Sequence, residues 1–247
     1  MIRFVYDMTF KLEASPVDQG TESNTSVATI SMNNLKLPFV SSHGTWTPQV
    51  ANGDTQSVQG LQNWLYDSGN TVSGRYSKYV VLGSRCTATA ANINTVAAGT
   101  PPGLVSANCV FGIHKRQNTA DIGTTTTFPA IAVLPYTKMQ NTIYEQGLQG
   151  TSTSKQNASI SSKYSAKRWE GVTDVKDVSA LSGSYTSAPT EGGKWEIFMA
   201  PKLPLDKGQH PDQIVRIKVE YLALLTDPIT DDNDPMSQGG TVPSMEE

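Results

Sequence analysis

Period-two alternation is the strongest pattern in this chain. In "QIVRIKVEYLALLTDP", Val215, Ile217, Val219 and Tyr221 fall on one face and Arg216, Lys218 and Glu220 on the other, as in a strand with one buried side. The run then becomes apolar at successive positions, Leu222, Ala223, Leu224 and Leu225. That predicts burial on both faces until Asp227-Pro228 ends the strand. "YSKYVVLGSRCTATAANI" is a second long strand, with Val80, Leu82 and Cys86 on one parity and Arg85 on the other. "LVSANCVFGIHKR" is a third, with Val105, Ala107, Cys109, Phe111 and Ile113 alternating with smaller or polar residues. "RFVYDMTFKLEA" and "KWEIFMAPKL" read as further strands, and "SVATISM" and parts of 151–165 as weaker ones. His114 heads "HKRQ" at a strand end, where a surface histidine is expected.

Helical spacing is rare. Val58, Leu61 and Leu65 in "SVQGLQNWLYD", and Tyr136, Met139 and Ile143 in "YTKMQNTIYEQ" after Pro135, predict two short amphipathic helices. Long Gly/Pro/Ser/Thr stretches such as "AAGTPPG", "NTADIGTTTTFPA" and "TSAPTEGGK" separate the strands. Loops of this length are uncommon in compact domains unless they have a role. About eight strands with two short helices in long connections predict an all-β fold, a jelly roll of two packed four-stranded antiparallel sheets.

Composition agrees with a β fold: Ser, Thr, Asn and Gly are abundant, and 17% of the 247 residues are charged. The net charge of −3 is unevenly spread. Residues 1–200 hold 15 Lys and Arg against 13 Asp and Glu, whereas residues 201–247 hold 4 against 9. The expected organisation is one jelly-roll domain over 1–228 and an acidic tail over 229–247. No signal peptide is legible in "MIRFVYDMTF", and no apolar run approaches the roughly 20 residues of a membrane span, so membrane insertion is not expected. Cys86 and Cys109 lie on apolar strand faces without CxxC spacing and read as core residues.

Chemistry is sparse. His43, His114 and His210 are scattered, and the chain has no GxSxG elbow, HExxH pair or phosphate-binding glycine loop. Asp174 and Asp177 read as solvated turn acids rather than a glycosidase pair, and "DDNDP" lacks the Gly and Glu of a calcium loop. No catalytic residue, metal site or cofactor is expected. One segment stands apart. In "SSKYSAKRWEG", Lys163, Lys167 and Arg168 sit between Tyr164 and Trp169. Basic residues interleaved with aromatics can hold phosphates and stack bases. The competing reading turns the rings inward and the lysines to water.

The order of three segments carries a resemblance: "GLQNWLYDSG…YSKYVVLGSRCTATAAN", then "KYSAKRWEGVTDVKDVSALSGSYTSAPTEGGKWEIFMAP", then "RIKVEYLALLTDP". Over roughly residues 57–228 the chain resembles the capsid proteins of circular Rep-encoding single-stranded DNA viruses, the circovirus-like group. The match rests on Tyr76, Tyr79, Val81, Leu82, Gly83 and Ser84; on Lys163, Lys167, Arg168, Trp169, Gly171 and Asp174; and on Pro189, Trp195 and Val215 to Leu225. The resemblance implies a viral jelly roll that self-assembles into a T=1 shell of sixty copies around circular single-stranded DNA. It also implies a virion location after synthesis in the host cytoplasm, with assembly in the nucleus, and a host surface receptor. Two departures matter. The family begins with an Arg/Lys-rich arm, whereas this chain starts on a strand with only Arg3 and Lys11, and Glu170 stands where the family often has an aromatic residue before Gly171. The nucleic-acid contacts expected are therefore Lys163, Lys167, Arg168, Arg3 and Lys11. The alternative is a non-enzymatic carbohydrate-binding jelly roll with Trp46, Trp64 or Trp195 as the sugar platform.

Overall fold

The computed structural model describes residues 1–12, 25–42, 57–67, 72–92, 108–117, 119–123, 126–143, 157–202 and 213–229. The expected acidic tail, Trp46, His43 and His210 fall outside them, apart from Ile229. The strands are β1 (Ile2–Leu12), β2 (Ser26–Ser31), β3 (Phe39–Ser42), β4 (Tyr66–Asp67), β5 (Val72–Ser73), β6 (Tyr76–Asn92), β7 (Asn108–Arg116), β8 (Thr137–Ile143), β9 (Asn157–Ser165), β10 (Ser182–Ser184), β11 (Lys194–Pro201) and β12 (Gln213–Pro228). Two short helices, α1 (Phe128–Ala132) and α2 (Ala166–Trp169), lie in the connections.

Every strand pairing within the two large sheets is antiparallel. One sheet runs β1-β12-β6-β9, with β10 added at the start of β6; the other runs β3-β2-β11-β7-β8. Without the short β3, β4, β5 and β10, the remaining strands in chain order are β1, β2, β6, β7, β8, β9, β11 and β12. The first, last, third and sixth of these form one sheet; the second, seventh, fourth and fifth form the other. That is the double Greek key of a jelly roll, with the expected four-stranded sheets each extended by one short edge strand.

The core follows from alternation. Phe4, Tyr6, Met8 and Phe10 of β1, Val215, Ile217, Val219 and Tyr221 of β12, and Cys86 and Ala88 of β6 point inward. They meet Trp195, Ile197 and Met199 of β11 and Phe111 and Ile113 of β7. Burying each large apolar side chain is worth about 1.5–3 kcal/mol. Hydrogen bonds also cross between the sheets: Tyr221 donates its hydroxyl to the Ser31 carbonyl (2.8 Å) and Ser84 to that of Met32 (2.5 Å). Both cysteines are buried and unpaired in disulfides, as expected. Burial pushes the Cys109 thiol up to about 12 and Cys86 higher still. Neither should react with an alkylating reagent at neutral pH until the protein unfolds; timed alkylation with and without denaturant checks this.

Four expectations are corrected. The segment after Pro135 is strand β8, not a helix: Thr137, Thr142 and Ile143 are β-branched, and pairing along the whole of β8 with β7 outweighs the helical spacing of Met139 and Ile143. "SVQGLQNWLYD" forms only a 3-10 turn, Leu61–Asn63, because Gly60 adopts φ 79° and interrupts the helix; Val58, Leu61 and Leu65 are nevertheless buried. The second half of β12 is not buried on both sides. Alternation continues past Tyr221, and Leu222 faces outward, 43% exposed. Finally, His114 is no surface residue: it is 1% exposed.

His114 belongs to a buried polar cluster on the outer face of the second sheet. The segment from Asp121 to Leu134, described except at 124–125, folds over this face and seats α1 on it. Ile122 and Ile131 pack there against Phe198, Val110 and Val27. Beside them, His114 Nε2 lies 2.9 Å from Asp121 and Nδ1 lies 2.9 Å from the Thr137 hydroxyl. Glu196 accepts the Ile122 N–H at 3.2 Å and forms an ion pair with Arg116, Nε to Oε1 2.5 Å. Burial raises the Glu196 carboxyl pKa above its ordinary value, and the Arg116 charge opposes that shift.

Candidate nucleic-acid interface

Strand β9 is the edge of its sheet and would leave alternate backbone groups unpaired. Side chains from the opposite sheet cap them. Lys115 of β7 donates to the Lys163 carbonyl (3.0 Å), Lys138 of β8 donates to the Ser161 carbonyl (2.8 Å), and Gln140 of β8 accepts the Ser159 N–H (3.2 Å). The side of the sandwich is thus closed by a ladder of side chains, which brings two further ammonium groups to the segment that carries Lys163.

Beyond Ser165 the chain makes the single turn of α2 and leaves it through Gly171, whose φ of 69° suits glycine. The turn leaves Lys167 and Arg168 exposed while Tyr164 is buried. Tyr164 donates its hydroxyl to Glu170 at 3.1 Å. Burial, then the Glu170 charge, pushes the Tyr164 phenol pKa up. The scaffold reading therefore holds for Tyr164, and the cations do face water.

Trp169 has a different setting. Its ring meets Tyr136 edge-on, centroids 5.2 Å apart at 72°. The Lys115 ammonium sits 5.1 Å from the Trp169 centroid and 5.8 Å from that of Tyr136, within cation–π range. Burial, and then the neighbouring Lys138 charge, lowers the Lys115 pKa. Lys115, Tyr136 and Trp169, together with Lys163 and Arg168, line a groove of about 590 Å³.

Tyr136 is 65% exposed and has φ 59°, a left-handed conformation that costs a residue with a Cβ roughly 1–2 kcal/mol. Tyr136→Gly should therefore be more stable than Tyr136→Ala by about 1 kcal/mol, because both lose the ring and only glycine sheds the strain. Parallel denaturant titrations check this.

Of the five cations expected from sequence, Lys163, Lys167 and Arg168 stand together. Arg3 and Lys11 lie on β1, at the far edge of the same sheet. Arg3 is paired with Glu220, and Lys11 stands in register with Ile214. Lys163, Arg85 and Glu220 share a register row across the outer face. There Arg216 holds Asp7 at 2.9 and 2.7 Å and draws its carboxyl below the ordinary value.

Lys115, Lys138 and Tyr136 were missed. "HKR" was a visible basic run, but the other two sit on the segment misread as a helix. Trp195, an expected sugar platform, is fully buried and cannot stack on a sugar; Trp64 is half exposed. Asp174 caps the N–H of Lys176 at 3.0 Å, and both Asp174 and Asp177 are exposed turn residues. No helix among the described residues is long and apolar enough to cross a membrane.

No family model and no curated protein sequence matches the chain. Among solved structures, it is similar to the decameric BFDV capsid protein at 7% identity, covering 92% of this chain and 98% of that one, with a TM-score of 0.41. It is similar to the 60-mer BFDV capsid protein at 11% identity, 93% and 96% coverage and a TM-score of 0.37. Desmodium yellow mottle tymovirus aligns at 7% identity, 92% and 90% coverage and a TM-score of 0.35.

Proposed function

We propose that this chain is a structural capsid protein that self-assembles into a small icosahedral shell, T=1 with sixty copies, around circular single-stranded DNA. The observation that carries this is the jelly-roll strand order, a topology used by viral capsid domains. The ordered motifs support the circovirus-like reading: the Tyr76–Ser84 stretch lies in β6, the Lys163–Gly171 stretch in β9 and α2, Trp195 in β11, and Val215–Leu225 in β12. Exposed apolar side chains support self-association: Val133 is 80% exposed, and Ile214 and Leu222 of β12 are also open to solvent. Burial of Trp195 weakens the carbohydrate-binding alternative.

On this reading the role is non-enzymatic, residues 1–228 form the shell unit and residues 229–247 an acidic surface tail. The protein resides in the virion, after synthesis in the host cytoplasm and assembly in the nucleus, and a host receptor meets its outer surface. Electron microscopy of the purified protein is the test. Closed particles of uniform diameter are expected. Monomers persisting at high concentration across salt and pH would overturn the proposal.

A further inference from the structure

We infer that the groove between β7, β9 and α2, with Tyr136 at its rim, binds a single-stranded nucleic-acid segment, with a base stacked on the exposed ring of Tyr136 and flanking phosphates held by Lys115, Lys163 and Arg168. This rests on the reading of the chain as a shell around single-stranded DNA, and names where that strand touches it.

Three observations carry the inference. The first is charge. None of Lys115, Lys138, Lys163, Lys167 and Arg168 forms an ion pair among the described residues. Lys115 and Lys138 each place an ammonium donor on a β9 carbonyl, but a carbonyl leaves the charge unneutralised and other donors available. Three of these cations, Lys115, Lys163 and Arg168, line one groove, and such a cluster in a chain of net charge −3 matches a polyanion.

The second is Tyr136. A left-handed turn selects glycine or asparagine for structural reasons. A tyrosine held there, mostly exposed and braced edge-on by Trp169, is strain kept where a ring is presented. Its open face offers the stacking platform that single-strand binders use. The third is size: about 590 Å³ lies within the range of roughly 300–1,000 Å³ typical of small-ligand sites, room for one nucleotide.

The test is binding of a short fluorescent oligothymidylate to the full chain, followed by anisotropy over a salt series. Three phosphate contacts predict that log K falls against log salt with a slope of about −2, since each contributes about 0.7. Tyr136→Ala should weaken binding roughly 5- to 150-fold, the range for losing one stacked base; Tyr136→Gly should do the same without the backbone strain, and Tyr136→Phe should retain affinity. Lys115→Gln and Arg168→Gln should each flatten the slope by about 0.7, whereas Arg3→Gln should leave it unchanged.

Unchanged affinity in Tyr136→Ala would overturn the inference. So would a peptide of residues 229–247, with five carboxylates and no Lys or Arg, that binds the groove more tightly and displaces the oligonucleotide. Particles with Tyr136-independent binding would sink the groove and leave the shell standing. Tyr136-dependent binding without particles would do the reverse.

Discussion

Arg116→Leu should cost about 3–5 kcal/mol at neutral pH, because it strands the Glu196 carboxylate under the segment that covers the second sheet. Glu196 is 1% exposed, and the Arg116 guanidinium is the charge that most opposes its upward pKa shift. The pH dependence separates this mechanism from simple loss of packing. A carboxyl whose folded-state pKa is raised above its ordinary 4.5 binds more protons folded than unfolded. Its contribution to stability is fully present below about 4.5 and is lost as pH rises through the folded value. Removing Arg116 raises that value further, so the deficit of Arg116→Leu should be smallest near pH 4.5 and grow towards pH 8. Denaturant titrations of both proteins across that range check it, and a deficit independent of pH would overturn the account. Replacing Arg116 and Glu196 together by leucine should recover much of the loss, since a buried pair exchanged for apolar side chains is often nearly neutral.

Gly112→Val should cost about 3 kcal/mol, at the upper end for overpacking a core. Gly112 of β7 pairs in register with Phe198 of β11, whose ring tip occupies the space a side chain there would need. A Cβ added at Gly112 would overlap Phe198 Cζ and sit 2.6 Å from Cε1. The ring cannot swing away, because it is fully buried against Val110, Ile122 and Ile131. Phe198→Ala alone removes a large buried ring and is itself costly. In the double variant Gly112→Val/Phe198→Ala the valine fills part of the space, so the two changes together should cost at least 1 kcal/mol less than their sum. Strict additivity in a double-mutant cycle would refute the contact. Because Phe198 also supports Ile131 of α1, the single Gly112→Val variant should expose that helix to limited proteolysis.

The mistaken expectations share a cause. His114 and Arg116 fall on the parity of β7 opposite Phe111 and Ile113, and a period-two pattern cannot tell an outer face in water from one covered by a later segment. Here Asp121, Ile122 and α1 supply the cover, and Glu196 arrives from a strand about 80 residues away. The β8 segment was misread for a related reason. Tyr136, Met139 and Ile143 fit a helix in isolation, and only pairing with β7 makes the strand preferable. Leu222 shows the reverse error, where local hydrophobicity implied cover that the described fold does not provide.

The candidate interface divides in the same way. Lys163, Lys167 and Arg168 were legible because they are neighbours in the chain. Lys115, Lys138 and Tyr136 join them only because the sandwich brings the β7 and β8 edge against β9.

What the sequence determined by itself is the long strands β1, β6, β7, β11 and β12, the inward face of most of them, the burial of both cysteines and the two-sheet architecture. All of these follow from alternation and turn chemistry, which act over a few residues. What tertiary structure decided is which charges are buried in pairs and which are left unpaired around a ring. Pairing depends on segments far apart in sequence meeting in space, and no local pattern encodes that distance.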